Sequence, residues 1–171
     1  GKSVRVMVLA VPAVTSAVSS HSSITAKNTL TFTVKTPSNA YVLSLYSENG
    51  ALVRSWNTNY STLSGSVRTW KMSYAFQNAG DRKLTLKASA DGKHYGTGKS
   101  VSVKVLAVPH VEPASFSLAT VKVGQSVNIV AVTPLNAYNL HMFVENGKLY
   151  RTWHSVDYAT KYGDILLWRI P

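Results

Sequence analysis

The chain contains no cysteine, which excludes a disulfide framework, a thiolate metal site and a cysteine nucleophile. It is also poor in acid: seven Asp and Glu stand against 18 Lys and Arg in 171 residues, a net charge of +11. Of the seven, Glu48, Asp81, Asp91 and Glu145 fall where turns are predicted, and a glycosidase pair or a calcium cage is not expected from them. No G-x-S-x-G occurs, so the strand-to-helix elbow of a serine hydrolase is missing. The five histidines (His21, His94, His110, His141 and His154) show no H-x-H or i, i+4 spacing that would set two imidazoles on one metal. No apolar run is long enough for a helical membrane span, and no signal peptide is visible. The expectation is a chain without catalytic residues, metal or cofactor. It begins Gly1-Lys2 without Met, which reads as a tag remnant on a piece of something longer.

What is present favours strands. Hydrophobic residues make up 45% and charged residues 15% of the chain, enough for a core and too apolar for a disordered segment. The basic excess is uneven. Residues 1–109 hold 13 Lys and Arg against 3 acids, and residues 110–171 hold 5 against 4.

An internal repeat sets the architecture. Val4–Pro12, VRVMVLAVP, returns as VSVKVLAVP at Val101–Pro109, an offset of 97. Thr36-Pro37-Ser38-Asn39-Ala40-Tyr41 returns as Thr133-Pro134-Leu135-Asn136-Ala137-Tyr138 at the same offset, and Glu48-Asn49-Gly50 as Glu145-Asn146-Gly147. Arg54-Ser55-Trp56 returns as Arg151-Thr152-Trp153. One residue is then inserted, so Tyr60 and Trp70 meet Tyr158 and Trp168 at an offset of 98. A period of this length is too long for a solenoid coil and suits a sandwich domain of about 100 residues.

Alternation within the repeat predicts the strands. Leu30, Phe32 and Val34 share one parity; so do Tyr41, Leu43 and Leu45; Trp70, Met72 and Tyr74; Leu84, Leu86 and Ala88; and Val101, Val103 and Val105. Turn signals separate these runs at Thr36-Pro37, Asn49-Gly50, Gly80-Asp81 and Asp91-Gly92. The pattern predicts an all-β fold of tandem immunoglobulin-like sandwich modules. Strand A is expected near 22–26, B at 28–36, C at 40–47, C′ at 51–57, E at 66–75, F at 81–90 and G at 98–106. Residues 1–11 match strand G and read as the last strand of a preceding module. A complete sandwich is expected over 12–107. A partial module is expected over 108–171, because Pro171 aligns with Ser73 and strands F and G have no counterparts.

The string AGDRKLTLKASADGKHYG, residues 79–96, resembles the F strand and F–G turn of bacterial immunoglobulin-like repeats. The order NAY, hydrophobic strand, ENG and basic-x-Trp is similar to repeats in large surface proteins of gut Firmicutes. That resemblance implies an extracellular or cell-wall-associated spacer or adhesive stalk, or an accessory domain of a surface enzyme, structural in its motifs and silent about a ligand.

Two groups of residues are candidates for binding. Lys83, Lys87 and Lys104 share the outward parity of strands F and G, with Lys99 and Arg82 nearby. They would form a cationic face for cell-wall or host polysaccharide or another anionic polymer, or a solvated face that keeps the module soluble. Nucleic acid is the weaker partner, since no recognition motif for it is present. Arg54 with Trp56, and Arg151 with Trp153, would be an aromatic platform for a sugar, or a core indole covered by its guanidinium. Tyr41 and Tyr138 are expected in the core. Strand exchange or homo-oligomer formation through residues 4–9 and 139–144 is expected to complete the partial module. Leu106-Ala107-Val108-Pro109, without Gly or Ser, reads as a short, stiff joint.

Overall fold

The computed structural model describes residues 10–171. The strand expected at residues 4–9, and with it the preceding-module reading of 1–11, lies outside the described residues. The chain divides into two compact units, Gly1–Ala107 and Val108–Pro171.

Unit one is a sandwich of two sheets. Its strands are β1 (Ser16–Ser19), β2 (Ser23–Thr25), β3 (Thr29–Pro37), β4 (Val42–Tyr46), β5 (Leu52–Asn57), β6 (Ser61–Ser64), β7 (Val67–Ala75), β8 (Gly80–Ser89) and β9 (Lys99–Leu106). One sheet has the order β1-β3-β7-β6 and the other β2-β9-β8-β4-β5. In immunoglobulin lettering these are A-B-E-D and A′-G-F-C-C′, an immunoglobulin-like fold. Two features differ from the expected strand set. Strand A is split: β1 pairs antiparallel with β3, and the chain then crosses so that β2 pairs parallel with β9. Strand D, β6, is added beside β7.

The alternation works as the pleat requires. Leu30, Phe32, Val34, Leu43, Leu45, Trp70, Met72, Leu84, Leu86, Ala88, Val103 and Val105 form one buried cluster between the sheets. The buried Trp70 donates its indole N–H to Thr36 Oγ1 at 2.9 Å, and Thr36 Oγ1 in turn donates to the Pro37 carbonyl at 3.2 Å. The core thereby satisfies the one polar atom that its largest side chain carries. Tyr41 departs from expectation. It precedes the first ladder residue of β4 and is 55% exposed, with Arg68 lying 5.8 Å over its ring.

Unit two repeats this plan with β10 (Glu112–Phe116), β11 (Ile129–Pro134), β12 (Asn139–Phe143), β13 (Leu149–His154), α1 (Ser155–Tyr158), β14 (Ala159–Tyr162) and β15 (Ile165–Ile170). The orders β10-β11-β15-β14 and β12-β13 correspond to A-B-E-D and C-C′. Even the registers carry over: Val34 faces Trp70 as Ala131 faces Trp168, and Leu43 faces Trp56 as Leu140 faces Trp153. The polar lock recurs, with Trp168 donating to Thr133 Oγ1 at 2.8 Å and Thr133 to the Pro134 carbonyl at 3.3 Å.

The differences are local. The inserted residue lies in the turn before strand D, where a three-residue 3-10 turn, Thr58–Tyr60, is replaced by the four-residue α1. No strand of the F or G type lies beside β12 among the described residues. The segment that aligns with β2, around residues 120–122, carries no strand. In unit one β2 is held by β9, and unit two offers it no such partner. Tyr138, expected in the core, is 78% exposed for the same reason as Tyr41: it precedes its strand.

Candidate functional site

The five-stranded sheet of unit one presents its outer face through alternate residues of β8 and β9. Leu84, Leu86 and Ala88 point inward, so Asp81, Lys83, Thr85 and Lys87 point outward. On β9 the outward set is Ser100, Ser102 and Lys104. The register places Asp81 opposite Lys104, Lys83 opposite Ser102 and Thr85 opposite Ser100. Thr85 and Ser100 share a hydroxyl–hydroxyl hydrogen bond at 3.1 Å.

Lys83, Lys87 and Lys104 therefore occupy one face. Lys99 does not: it faces Leu86 in the ladder, which gives it the parity of the buried side chains at the exposed start of β9. Arg82 also has the inward parity, opposite Val103. Its guanidinium closes the β7–β8 turn by donating to the carbonyls of Asn78 and Ala79 at 3.1 Å each. The face is not purely cationic either. Asp81 sits directly across from Lys104, and cross-strand neighbours of opposite charge offset one another. Next to it is an open hollow of about 450 Å³, lined by Glu48 and Asp81 as well as Arg82, Lys83 and Lys104.

Lys87 lies against an aromatic ring. Its Nζ lies 5.3 Å over the ring of Tyr46, and Tyr95 meets Tyr46 edge-on at a centroid distance of 5.9 Å. Beneath them Ser44, on the outward parity of β4 yet fully buried, bonds Ser55 Oγ at 2.7 Å and donates to Tyr95 Oη at 3.1 Å. Burial and the neighbouring Tyr95 raise the pKa of the Tyr46 phenol. This half-buried cluster was not expected. Tyr46 was readable from strand parity, but Tyr95 arrives only because the β8–β9 connection folds back over the sheet. Gly98 permits that path, since a Cβ there would lie 2.6 Å from the Leu86 carbonyl oxygen.

The connection is tied by Asp91. Its carboxylate accepts from the backbone N–H groups of Lys93 and His94 at 2.8 Å each and from Ser89 Oγ at 2.9 Å, and it meets His94 Nδ1 at 2.6 Å. These donors, the His94 backbone N–H first, hold its pKa far below the ordinary carboxylate value.

The aromatic platform does not form. Trp56 and Trp153 are 3% and 4% exposed, and Arg54 and Arg151 each lie 5.7 Å over their rings. The indoles belong to the two cores, the guanidinium groups cover them, and no ring face is left for a sugar. Among the described residues no three His, Cys, Asp or Glu side chains group as a metal site would need.

No family model matches the chain, and no curated protein matches it. Among solved structures it is similar to the titin domains Z1Z2 in complex with telethonin. The identity is 16%, the match covers 96% of this chain and 83% of that one, and the TM-score is 0.35. The sheet orders and registers define the fold.

Proposed function

We propose that the chain is a non-catalytic spacer from a bacterial surface protein, outside the cell or on its wall, assembled from the immunoglobulin-like repeats it resembles. The observation that carries this reading is the parallel pairing of β2 with β9 in unit one. These are the strands nearest the two ends of the unit that join the second sheet. A pull on both ends drives parallel strands past each other in shear. The bonds from Lys104 N to the Ser22 carbonyl, at 2.9 Å, and from Ala26 N to the Leu106 carbonyl, at 2.8 Å, then resist together instead of opening one by one. A spacer on a cell surface needs this resistance.

The experiment is force spectroscopy on the chain held by its ends. Unit one is expected to unfold in one high-force step, releasing about 3.4 Å of contour per residue. Ala26→Pro removes one donor of the shear set and is expected to lower that force, with the circular dichroism of the fold retained. A high-force step unchanged in the variant, or no such step in the parent chain, would overturn the reading.

A second reading, an adhesive module for an anionic polysaccharide, is favoured by the shared face of Lys83, Lys87 and Lys104. It differs in outcome. Binding would be saturable and would weaken steeply with salt, whereas a spacer binds no polymer on a glycan array.

A further inference from the structure

The sheet β10-β11-β15-β14 of unit two has the same four strands as β1-β3-β7-β6 of unit one, and the ladders at its centre keep their register. The inner parity keeps its character: Val34 and Trp70 become Ala131 and Trp168, all buried. The outer parity does not. The cross-strand pair Lys35–Thr69 becomes Val132–Leu167, Thr33 beside Lys71 becomes Val130 beside Arg169, and Ser64 beside Val67 becomes Tyr162 beside Ile165. Val130, Val132 and Leu167 alternate with Ala131 and Trp168, so they stand outside the buried cluster on the face turned away from it. Ile165 is 38% and Tyr162 71% exposed. Where one repeat carries hydroxyls and a lysine, the other carries a continuous apolar strip. Such a strip, exposed and rimmed by polar residues, marks a contact surface.

The charges on its rim identify the partner. Glu112 stands opposite Val132 on one side of the strip, and Arg169 opposite Val130 on the other. Glu112 also meets His110 Nε2 through Oε1 at 2.7 Å. Strands lie about 4.8 Å apart, and residues of one face follow one another about 6.8 Å apart along a strand. On that lattice the line equidistant from Glu112 and Arg169 passes between Val130 and Val132 and on beside Leu167, along the middle of the strip. A two-fold axis on this line lays strip against strip and sets Glu112 of each copy over Arg169 of the other. A face with both signs so placed complements itself. The same face of unit one does not: it carries Lys35 and Lys71, and β1, β3, β6 and β7 contain no acid. We propose that the outer face of the β10-β11-β15-β14 sheet is an isologous contact between two copies of this chain, with Val132 and Leu167 at its centre and Glu112 paired with Arg169 at its rim. The strip is about 15 Å across, which puts the contact in the weak, transient class. It goes beyond the spacer reading and does not rest on it.

The test is sedimentation velocity of the full chain. Over concentrations up to about 1 mM a reversible monomer–dimer equilibrium is expected. Val132→Lys combined with Leu167→Thr introduces the residue types that unit one carries as Lys35 and Thr69, which the same sheet accommodates there. The dimer is expected to weaken by about tenfold or more, with the circular dichroism of the fold retained. Glu112→Arg and Arg169→Glu are each expected to weaken it as well. Mixed in equal amounts, these two variants bring opposite charges together at both ends of the contact, and a heterodimer is expected to return. A chain that stays monomeric over the whole range, a dimer unchanged by Val132→Lys with Leu167→Thr, or a mixture no more associated than its two components would overturn the proposal.

Discussion

In each unit a single hydroxyl satisfies the indole of the deepest tryptophan. Trp70 and Trp168 are fully buried, and each carries one N–H that finds its acceptor on the Thr of a Thr-Pro step. Thr36→Val keeps the shape and removes the acceptor, stranding a buried donor. The expected loss is about 1–3 kcal/mol, read from urea unfolding of unit one. Thr133→Val is expected to act in the same way on unit two. Each loss should appear only in the transition of its own unit, because Trp70 and Trp168 belong to separate clusters. Neither bond was legible in the sequence. The recurrence of Thr-Pro and Trp marked the positions as structural, but a pairing 34 residues apart follows only from the β3–β7 register.

At the scale of elements, strands B, C, E, F and G were legible, because each carries an apolar parity long enough to declare its inner face; C′ has only Trp56 buried and was placed by the Asn49-Gly50 turn before it and the recurring Arg-x-Trp. The split of strand A was not. β1 and β2 are four and three residues long, and what divides them is a change of sheet, which alternation does not encode. Strand D, Ser-Thr-Leu-Ser, has no buried side chain to announce it. Lys99 was misplaced for a related reason: proximity in sequence to an outward lysine says nothing about parity. The β8–β9 connection makes a prediction about pH. Asp91 has a depressed pKa, so the stability it contributes is fully present above its ordinary value of 3.8 and is lost as pH falls below it. Asp91→Asn lacks this dependence. Hydrogen exchange across residues 89–97 is expected to be faster in the variant at neutral pH, with the two proteins converging in acid. Parallel profiles at every pH would contradict the assigned role.

For the whole molecule, two cores imply two transitions. Unit one buries an inter-sheet cluster that includes Leu84, Leu86, Ala88, Val103 and Val105 from β8 and β9, and unit two has no equivalent of these residues. Urea unfolding followed by hydrogen exchange is expected to show unit two opening first. Leu86→Ala is expected to move only the later transition, by about 2–5 kcal/mol. A single transition shifted as a whole by that substitution would mean that the units unfold as one. The turn before strand D has a wider consequence. A residue is gained there between the two repeats, 3-10 turn becomes α-turn, and the ladders on both sides keep their partners. This corner acts as an expansion joint: length can change in it without a slip in the strands it connects, so copies of the repeat can diverge there in size while their interiors stay superimposable.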